Sequence, residues 1–254
     1  MGPLELAAHR LVVVSPHADD AVLSCGALRS RRQVLALNLF DAYAADAASR
    51  SEGQVSEVAR YLFSAWGVLD AAGARAVRDA EDAAACGVIG FARTSAGLLD
   101  AAFRRSGASP FGGLTDADQA LLPVVTRLIR AQLDAAAESS IVLAPLGIGE
   151  HVDHLIARDA ALALRNEGRR VVLYEDVPYC LLSDAPAGSA RLPLQARRVE
   201  VDVTAGIEGW VRGVHCYSSQ LRMLFGSREI EPLLRAHAVD RKLPLWDLGP
   251  EAAP

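Results

Sequence analysis

Three observations predict an α/β fold, a Rossmann-like three-layer α/β/α sandwich with a mostly parallel sheet. Short Val/Leu/Ile-rich runs recur at Leu11–Ser15, Gln33–Phe40, Ile141–Pro145 and Arg169–Tyr174. They are apolar almost throughout rather than alternating, as strands covered on both faces are. Helical patterns separate them, and the order β-α-β-α-β-α-β-α-β calls for parallel pairing through crossover helices.

The elements follow from local chemistry. Pro16 stops the first strand, and DAVLSCGALRS from Asp20 forms a helix with a carboxylate in its first turn, where it suits the helix dipole. The distance to QVLALNLF fits a short crossover. Asp41–Gly53, small and polar, is a loop at the carboxyl end of the second strand, the edge where α/β sheets face their ligands. Val55–Trp66 is a helix. Asp70–Cys86 is an amphipathic helix ended by Gly87, and Val88–Phe91 is a third short strand. Thr94–Thr115 is irregular, a long loop of the kind that carries function. Thr115 or Asp116 caps a long helix, Asp116–Ala137. The strand Ile141–Pro145 then runs through the turn LGIGEHVDH into a helix, Leu155–Asn166, and on to the strand Arg169–Tyr174. Beyond Pro178 the pattern weakens to one alternating strand (Arg198–Val203), a helix (Thr204–Phe225), a second helix (Ile230–His237) and a short strand-like piece in the tail. No repeat or linker interrupts the chain, so residues 1–254 read as one domain.

Composition narrows the function classes. The chain has 254 residues, 51% of them hydrophobic, with net charge −5. That suffices for a sizeable core. No basic stripe with interleaved aromatics is present, which argues against nucleic acid. The four cysteines, Cys25, Cys86, Cys180 and Cys216, form no CxxC pair. They read as small buried hydrophobes in a reducing compartment. MGPLELAAHR lacks the basic and apolar regions of a signal peptide, and no apolar run approaches the roughly 20 residues of a membrane span. The expected location is the cytoplasm; homo-oligomerisation is left open.

Two polar clusters follow buried strands. After Leu11–Ser15 come His17, Asp19 and Asp20; after Ile141–Pro145 come His151, Asp153 and His154. Three protein ligands of His/Asp type with a position left for water make a common catalytic zinc set. His17 and Asp20 are three apart across a strand-to-helix turn and can face one point, as can His151 and His154. Asp19, beside a ligand, suits a general base acting on water. His151 can face the developing oxyanion and protonate a leaving amine if Asp153 holds its imidazole, an arrangement favouring imidazolium. Taken singly, Asp19 or Asp20 is an ordinary helix cap, and His154 a satisfied surface histidine. Two such clusters, each directly after a buried strand, are hard to obtain by folding alone. Among further candidates, Asp100 and Arg104 in the long loop suit substrate hydroxyl or anion binding. Glu150 suits contact with a cationic substrate group. Glu175 and Asp176 reach the rim of the cleft, and His215 belongs to the core.

PHADD before a helix and GEHVDH after a later strand resemble the PIG-L/LmbE-like zinc-dependent N-deacetylases, whose signatures are a PHPDDE-like turn and an HxDH motif. LLDAAFR, YEDVPY and YSSQLRMLFG resemble weaker landmarks of a bacterial branch, in the expected order over most of the chain. The resemblance implies a Rossmann-like fold and hydrolysis of an N-acyl group, typically N-acetyl on an amino sugar, with zinc or another divalent metal as cofactor. Carried over by position, it makes His17, Asp20 and His154 the metal ligands, Asp19 the base, His151 the oxyanion-facing residue and Asp153 its partner. The sequence departs from the pattern at Ala18, where Pro is usual, at Ala21, where many members carry Glu, and at Glu150, where Gly is commoner.

The leading expectation is therefore a metal-dependent hydrolase that removes an N-acyl group from a small molecule, most readily an amino-sugar-containing metabolite. The alternative is a zinc-dependent amidase or esterase acting on a non-sugar conjugate. A nucleotide-binding protein would need a glycine-rich phosphate loop where this chain has carboxylates, and a non-catalytic scaffold need not keep a full set of ligands and base.

Overall fold

In the computed structural model, residues 5–43, 57–105, 109–135, 139–182 and 196–249 are described. One seven-stranded sheet organises them, in the order β3-β2-β1-β4-β5-β7-β6. Its first strands in the chain are β1 (Arg10–Ser15), β2 (Val34–Asn38), β3 (Ala92–Ser95), β4 (Ser140–Pro145) and β5 (Val171–Tyr174), all parallel. β6 (Arg197–Asp202) and β7 (Lys242–Asp247) complete it, and β7 runs antiparallel to both its neighbours. The tail piece thus becomes a strand between β5 and β6.

The chain leaves β1 toward β2 and β3, then returns to the other side of β1 with β4. The switch point lies between β1 and β4, and α/β sheets open a crevice at the carboxyl ends of such strands. Leu11 pairs with Ile141 and Val13 with Leu143, so the ends of β1 and β4 sit level. Alternate residues of β1 feed opposite faces, as the two-residue period of a strand requires. Leu11 and Val13 join one core cluster, and Val12 and Val14 the other. All four are fully buried, each worth about 1.5–3 kcal/mol.

Helices cover both faces. α1 (Asp20–Cys25), α3 (Ala71–Ile89), α9 (Ile207–Val214), α10 (Ser218–Phe225) and α11 (Ile230–His237) pack on one side. α6 (Leu122–Asp134) and α7 (Val152–Asn166) pack on the other. α2 (Glu57–Ala65) and the four-residue helices α4 (Ala101–Arg104) and α8 (Tyr179–Leu182) lie around the cleft at the carboxyl edge of the sheet, and the four-residue α5 (Asp116–Gln119) leads into α6. Trp210 of α9 donates its indole N–H to Val22 O at 2.8 Å, locking α9 to α1.

Several boundaries differ from the sequence reading. α3 runs through Gly87 to Ile89, because the left-handed cap position is taken by Gly90 (φ 77). Val88 and Ile89, expected in a strand, therefore belong to the helix, and β3 starts at Ala92. The Asp116–Ala137 helix divides into α5 and α6, with Pro123 in the first turn of the second, where no backbone N–H is needed. The Thr204–Phe225 helix divides into α9 and α10 around His215–Tyr217, and His215 is exposed rather than core. α7 begins at Val152, so His151 is its N-cap and His154 lies in its first turn. Most of the Asp41–Gly53 loop, from 44 onward, lies outside the described residues, as do 55–56, 106–108 and 136–137. Among the described residues no helix is long and apolar enough to cross a membrane.

Candidate active site and metal centre

The turn after β1 is held largely by its own atoms, with Tyr217 Oη donating to Ala18 O at 3.1 Å from outside. Ala21 N donates to Ser15 Oγ at 2.8 Å, and His17 N donates to Asp20 Oδ2 at 2.8 Å. The second bond aims the Asp20 carboxylate back over the turn, 3.2 Å from His17 Nδ1. Asp19 occupies the N-cap of α1, yet its side chain makes no capping bond. It turns instead into the cleft, where Arg78 Nη2 donates to Asp19 Oδ1 at 3.0 Å. The helix-cap reading of Asp19 is thereby excluded.

The turn after β4 arrives at the same point. His154 Nε2 lies 3.3 Å from the same Asp20 Oδ2. One ligand atom each from His17, Asp20 and His154 falls within 4.8 Å of the others, and the same holds for His17, His151 and Asp153. This turn adopts left-handed backbone at Gly147, Gly149 and Glu150, with φ of 84, 85 and 57. A Cβ on Gly149 would come within 2.6 Å of the Tyr179 ring, so glycine is required there on both counts. Distant groups steady the turn. Asp176 Oδ2 accepts from Gly147 N and Ile148 N at 2.8 and 3.0 Å. Phe111 forms a bridge to His151, and Val152 N donates to Pro110 O at 2.9 Å.

A divalent metal fits this cluster. His154 Nε2 is buried with no hydrogen-bond partner. Its other nitrogen, Nδ1, lies 2.6 Å from Asp176 Oδ1, which assigns a proton to Nδ1 and leaves Nε2 facing Asp20 and His17. A carboxylate behind a ligating histidine is the arrangement that orients metal-bound imidazoles. Burial alone would lower the His154 pKa, but Asp20 and Asp176 outweigh it and raise it to about 9, so without an ion the ring holds a second proton at neutral pH, on Nε2 beside Asp20, and a metal binding there would displace it. For Asp20, burial is overcome by His154 and His17, and its pKa is held well below the usual range. Asp19 moves the other way. Burial raises it against the opposing charge of Arg78, so a proton is more readily held there than on Asp20.

Asp153 departs from the expected arrangement. Its carboxylate does not hold His151. Oδ2 faces His17 Nε2 at 3.3 Å and accepts from Ala101 N at 2.9 Å, while Oδ1 accepts from Arg104 Nη2 at 2.8 Å. His151 Nδ1 instead accepts from the backbone N–H of Asp153 at 3.3 Å, as the N-cap of α7. That bond assigns the proton to Nε2. Burial, then His17 and His154, lower the His151 pKa well below its ordinary value. The N-cap bond and the lowered pKa point to an Nε2–H donor at His151, without the carboxylate support from Asp153 that the sequence reading expected.

The proposed substrate contacts divide. Asp100 is buried, lines the cleft, caps α4 through Ala102 N and lies 3.7 Å from His17 Nε2. Arg104 is spent internally on Leu99 O, Asp118 and Asp153; it positions Asp153 and does not line the cleft. Glu150 is exposed and outside the cleft lining. Ala21 packs in the core.

Sequence reasoning missed two residues and misplaced a third. Arg78, unnamed within the expected amphipathic helix, is buried, with its guanidinium 5.1 Å from the centre of the Trp66 ring. Its signal was its face: Ala74, Arg78, Asp82 and Ala85 share one side of α3, and all are buried. Asp176, read as a rim residue, is fully buried behind His154. Tyr179 packs edge-on against His154, with ring centroids 5.7 Å apart. Beyond these the cleft opens into a cavity of about 520 Å³ walled by Tyr61, Trp66, Phe111, Tyr179, Met223 and Leu224.

Residues 12–164 match the family described as PIG-L, GlcNAc-PI de-N-acetylase. The chain is 31% identical over 224 residues, 83% of its length and 73% of the other's, to a 2'-N-acetylparomamine deacetylase of Streptomyces fradiae. Among solved structures, the deacetylase of an antimicrobial pseudoaglycone superposes with TM-score 0.76 at 25% identity, covering 96% of this chain and 99% of that one. A zinc-inhibited form of a teicoplanin deacetylase gives TM-score 0.74 at 27% identity, covering 93% and 97%.

Proposed function

The chain belongs to the PIG-L family of de-N-acetylases, and on that premise we propose that it removes the N-acetyl group from an amino sugar carried on a larger secondary metabolite. The observation that carries this reading is the meeting of both motifs at one oxygen, Asp20 Oδ2, with His17 on one side and His154 on the other. His17, Asp20 and His154 would hold the ion, zinc or another divalent metal. A cation there supplies Lewis acidity, making water more acidic and polarising a carbonyl. The zinc-inhibited form of the teicoplanin deacetylase supports a zinc-responsive centre.

The protein's own groups do the rest. Asp19 takes the proton of the attacking water and delivers it to the departing amine, with Arg78 fixing the direction of its carboxylate. His151 donates its Nε2–H to the carbonyl oxygen as charge develops there. Asp176 fixes the tautomer of His154, and Asp153, braced by Arg104, orients His17. Asp100 accepts from a sugar hydroxyl.

The 520 Å³ cavity matches a drug-sized ligand rather than an acetyl group alone. Its aromatic and aliphatic walls support a sugar borne on a partly apolar scaffold. The unpaired cysteines support placement in the cytoplasm. The test is acetate release from free N-acetylglucosamine, from N-acetylglucosaminides of apolar scaffolds and from non-sugar acetamides, with added zinc, cobalt or manganese. The glycosides should be cleaved fastest. Preference for the non-sugar acetamides overturns the sugar assignment, and full turnover by metal-free protein overturns the metal assignment.

A further inference from the structure

Glu175 and Asp176 leave the end of β5 in opposite directions, as successive residues of extended chain do. Asp176 serves His154. Glu175 turns the other way, where Trp246 Nε1 donates to its Oε1 at 3.2 Å. Its Oε2 faces His237 Nδ1, the last residue of α11, at 4.0 Å, too far for a hydrogen bond. Cys180 of α8 completes the group: one ligand atom each from Glu175, Cys180 and His237 lies within 4.8 Å of the others. Carboxylate, thiolate and imidazole are the three side-chain types that zinc prefers.

The group is enclosed. The side chains of Glu175 and His237 are only 11% and 7% exposed. Among the described residues, no arginine or lysine forms an ion pair with Glu175, and buried charges are as a rule paired or ligated to metal. Arg198 is engaged instead with Glu200 at 2.9 Å. Trp246 holds one carboxylate oxygen and leaves the other for a metal, the outer support expected around a ligand. A four-coordinate zinc with bonds of about 2.0–2.3 Å spaces its ligands about 3.3–3.8 Å apart, so closure asks for shifts of about 1 Å.

We propose that Glu175, Cys180 and His237 form a second zinc site, apart from the catalytic cluster. Zinc there fastens segment 175–180 to the end of α11. That segment carries Asp176, which holds His154, and Tyr179, which walls the cavity, so the site braces one side of the active cleft.

Cobalt tests this directly, because the His17–Asp20–His154 set contains no sulfur. Stripped full-length protein titrated with Co2+ should take up two equivalents, with a thiolate-to-cobalt charge-transfer band in the near ultraviolet. Cys180→Ser and His237→Ala should each lose the band and one equivalent, and the remaining ion should still support deacetylation. Cys216→Ser, a control outside the group, should keep both. Uptake of one equivalent without the band overturns the proposal, as does a band that survives in Cys180→Ser. If Cys180→Ser fails to fold, His237→Ala makes the same test with the thiol intact.

Discussion

The two turns that meet at Asp20 lean on remote partners to different degrees. The turn after β1 keeps most of its bonds local: Ser15, His17, Asp20 and Ala21 bond to one another within seven residues of chain, and Tyr217, on Ala18 O, Arg78, on Asp19, and Phe40, on Pro16 O, reach it from outside. The turn after β4 has left-handed backbone at three positions. It is steadied from outside, by Asp176 from the end of β5 and by the Pro110–Phe111 strand of loop. A turn whose bonds are mostly local can be read from a motif. A turn held by remote partners can be disturbed from far along the chain, by residues no motif names.

The largest effect tests whether the turns make one centre. Chelation should abolish turnover, and His154→Ala should lose both bound metal and activity, since it removes the link from the β4 turn to Asp20. Metal analysis alongside an acetate-release assay reads both. Retention of stoichiometric catalytic metal by His154→Ala would mean that the first turn grips the ion alone. Asp19→Asn should come next. It keeps the shape and the bond to Arg78 but removes the proton acceptor, so kcat should fall about 10²–10⁴-fold with metal content unchanged. Normal turnover would move the base elsewhere.

Asp176→Asn sharpens the comparison most. It lies 22 residues beyond His154 and outside both motifs, yet it orients that ligand and accepts two N–H bonds of the second turn. The expected cost is about 10–100-fold in metal affinity or activity, measured by competition with a chromogenic chelator. An unchanged metal affinity would show that the β4 turn keeps its shape without its outside partner.

The same contrast explains what the sequence revealed. The apolar runs announced β1, β2, β4 and β5 because strands buried on both faces need uninterrupted hydrophobic residues. β7 was nearly silent, since its place between β5 and β6 depends on long-range antiparallel pairing. The meeting of His17, Asp20, His151 and His154 was foreseeable because both motifs follow the carboxyl ends of strands that pair in the sheet. The partner of Asp153 was not. Spacing put Asp153 two residues from His151, but the helix begins at Val152 and turns its carboxylate toward His17 and Arg104. Arg78 was hidden for a related reason: an arginine in an Ala-rich helix looks solvated until Asp19 and the Trp66 ring come to lie beside it.

The smallest effect concerns Glu150, the least expected residue of the second turn. Its φ of 57 lies in the left-handed region, which costs an L side chain about 1–2 kcal/mol. Glycine would remove that strain and add about 0.5–1 kcal/mol of chain entropy to the cost of folding. Relief of strain outweighs the lost entropy, so Glu150→Gly should raise stability by up to about 1 kcal/mol, read as a shift in the urea midpoint at constant m. The side chain is exposed and outside the cleft lining, so kcat/KM should stay within about twofold, a few tenths of a kcal/mol in transition-state stabilisation. A tenfold loss on a cationic amino-sugar substrate, with stability unchanged, would show that the glutamate is kept for recognition and that strain in this turn serves binding.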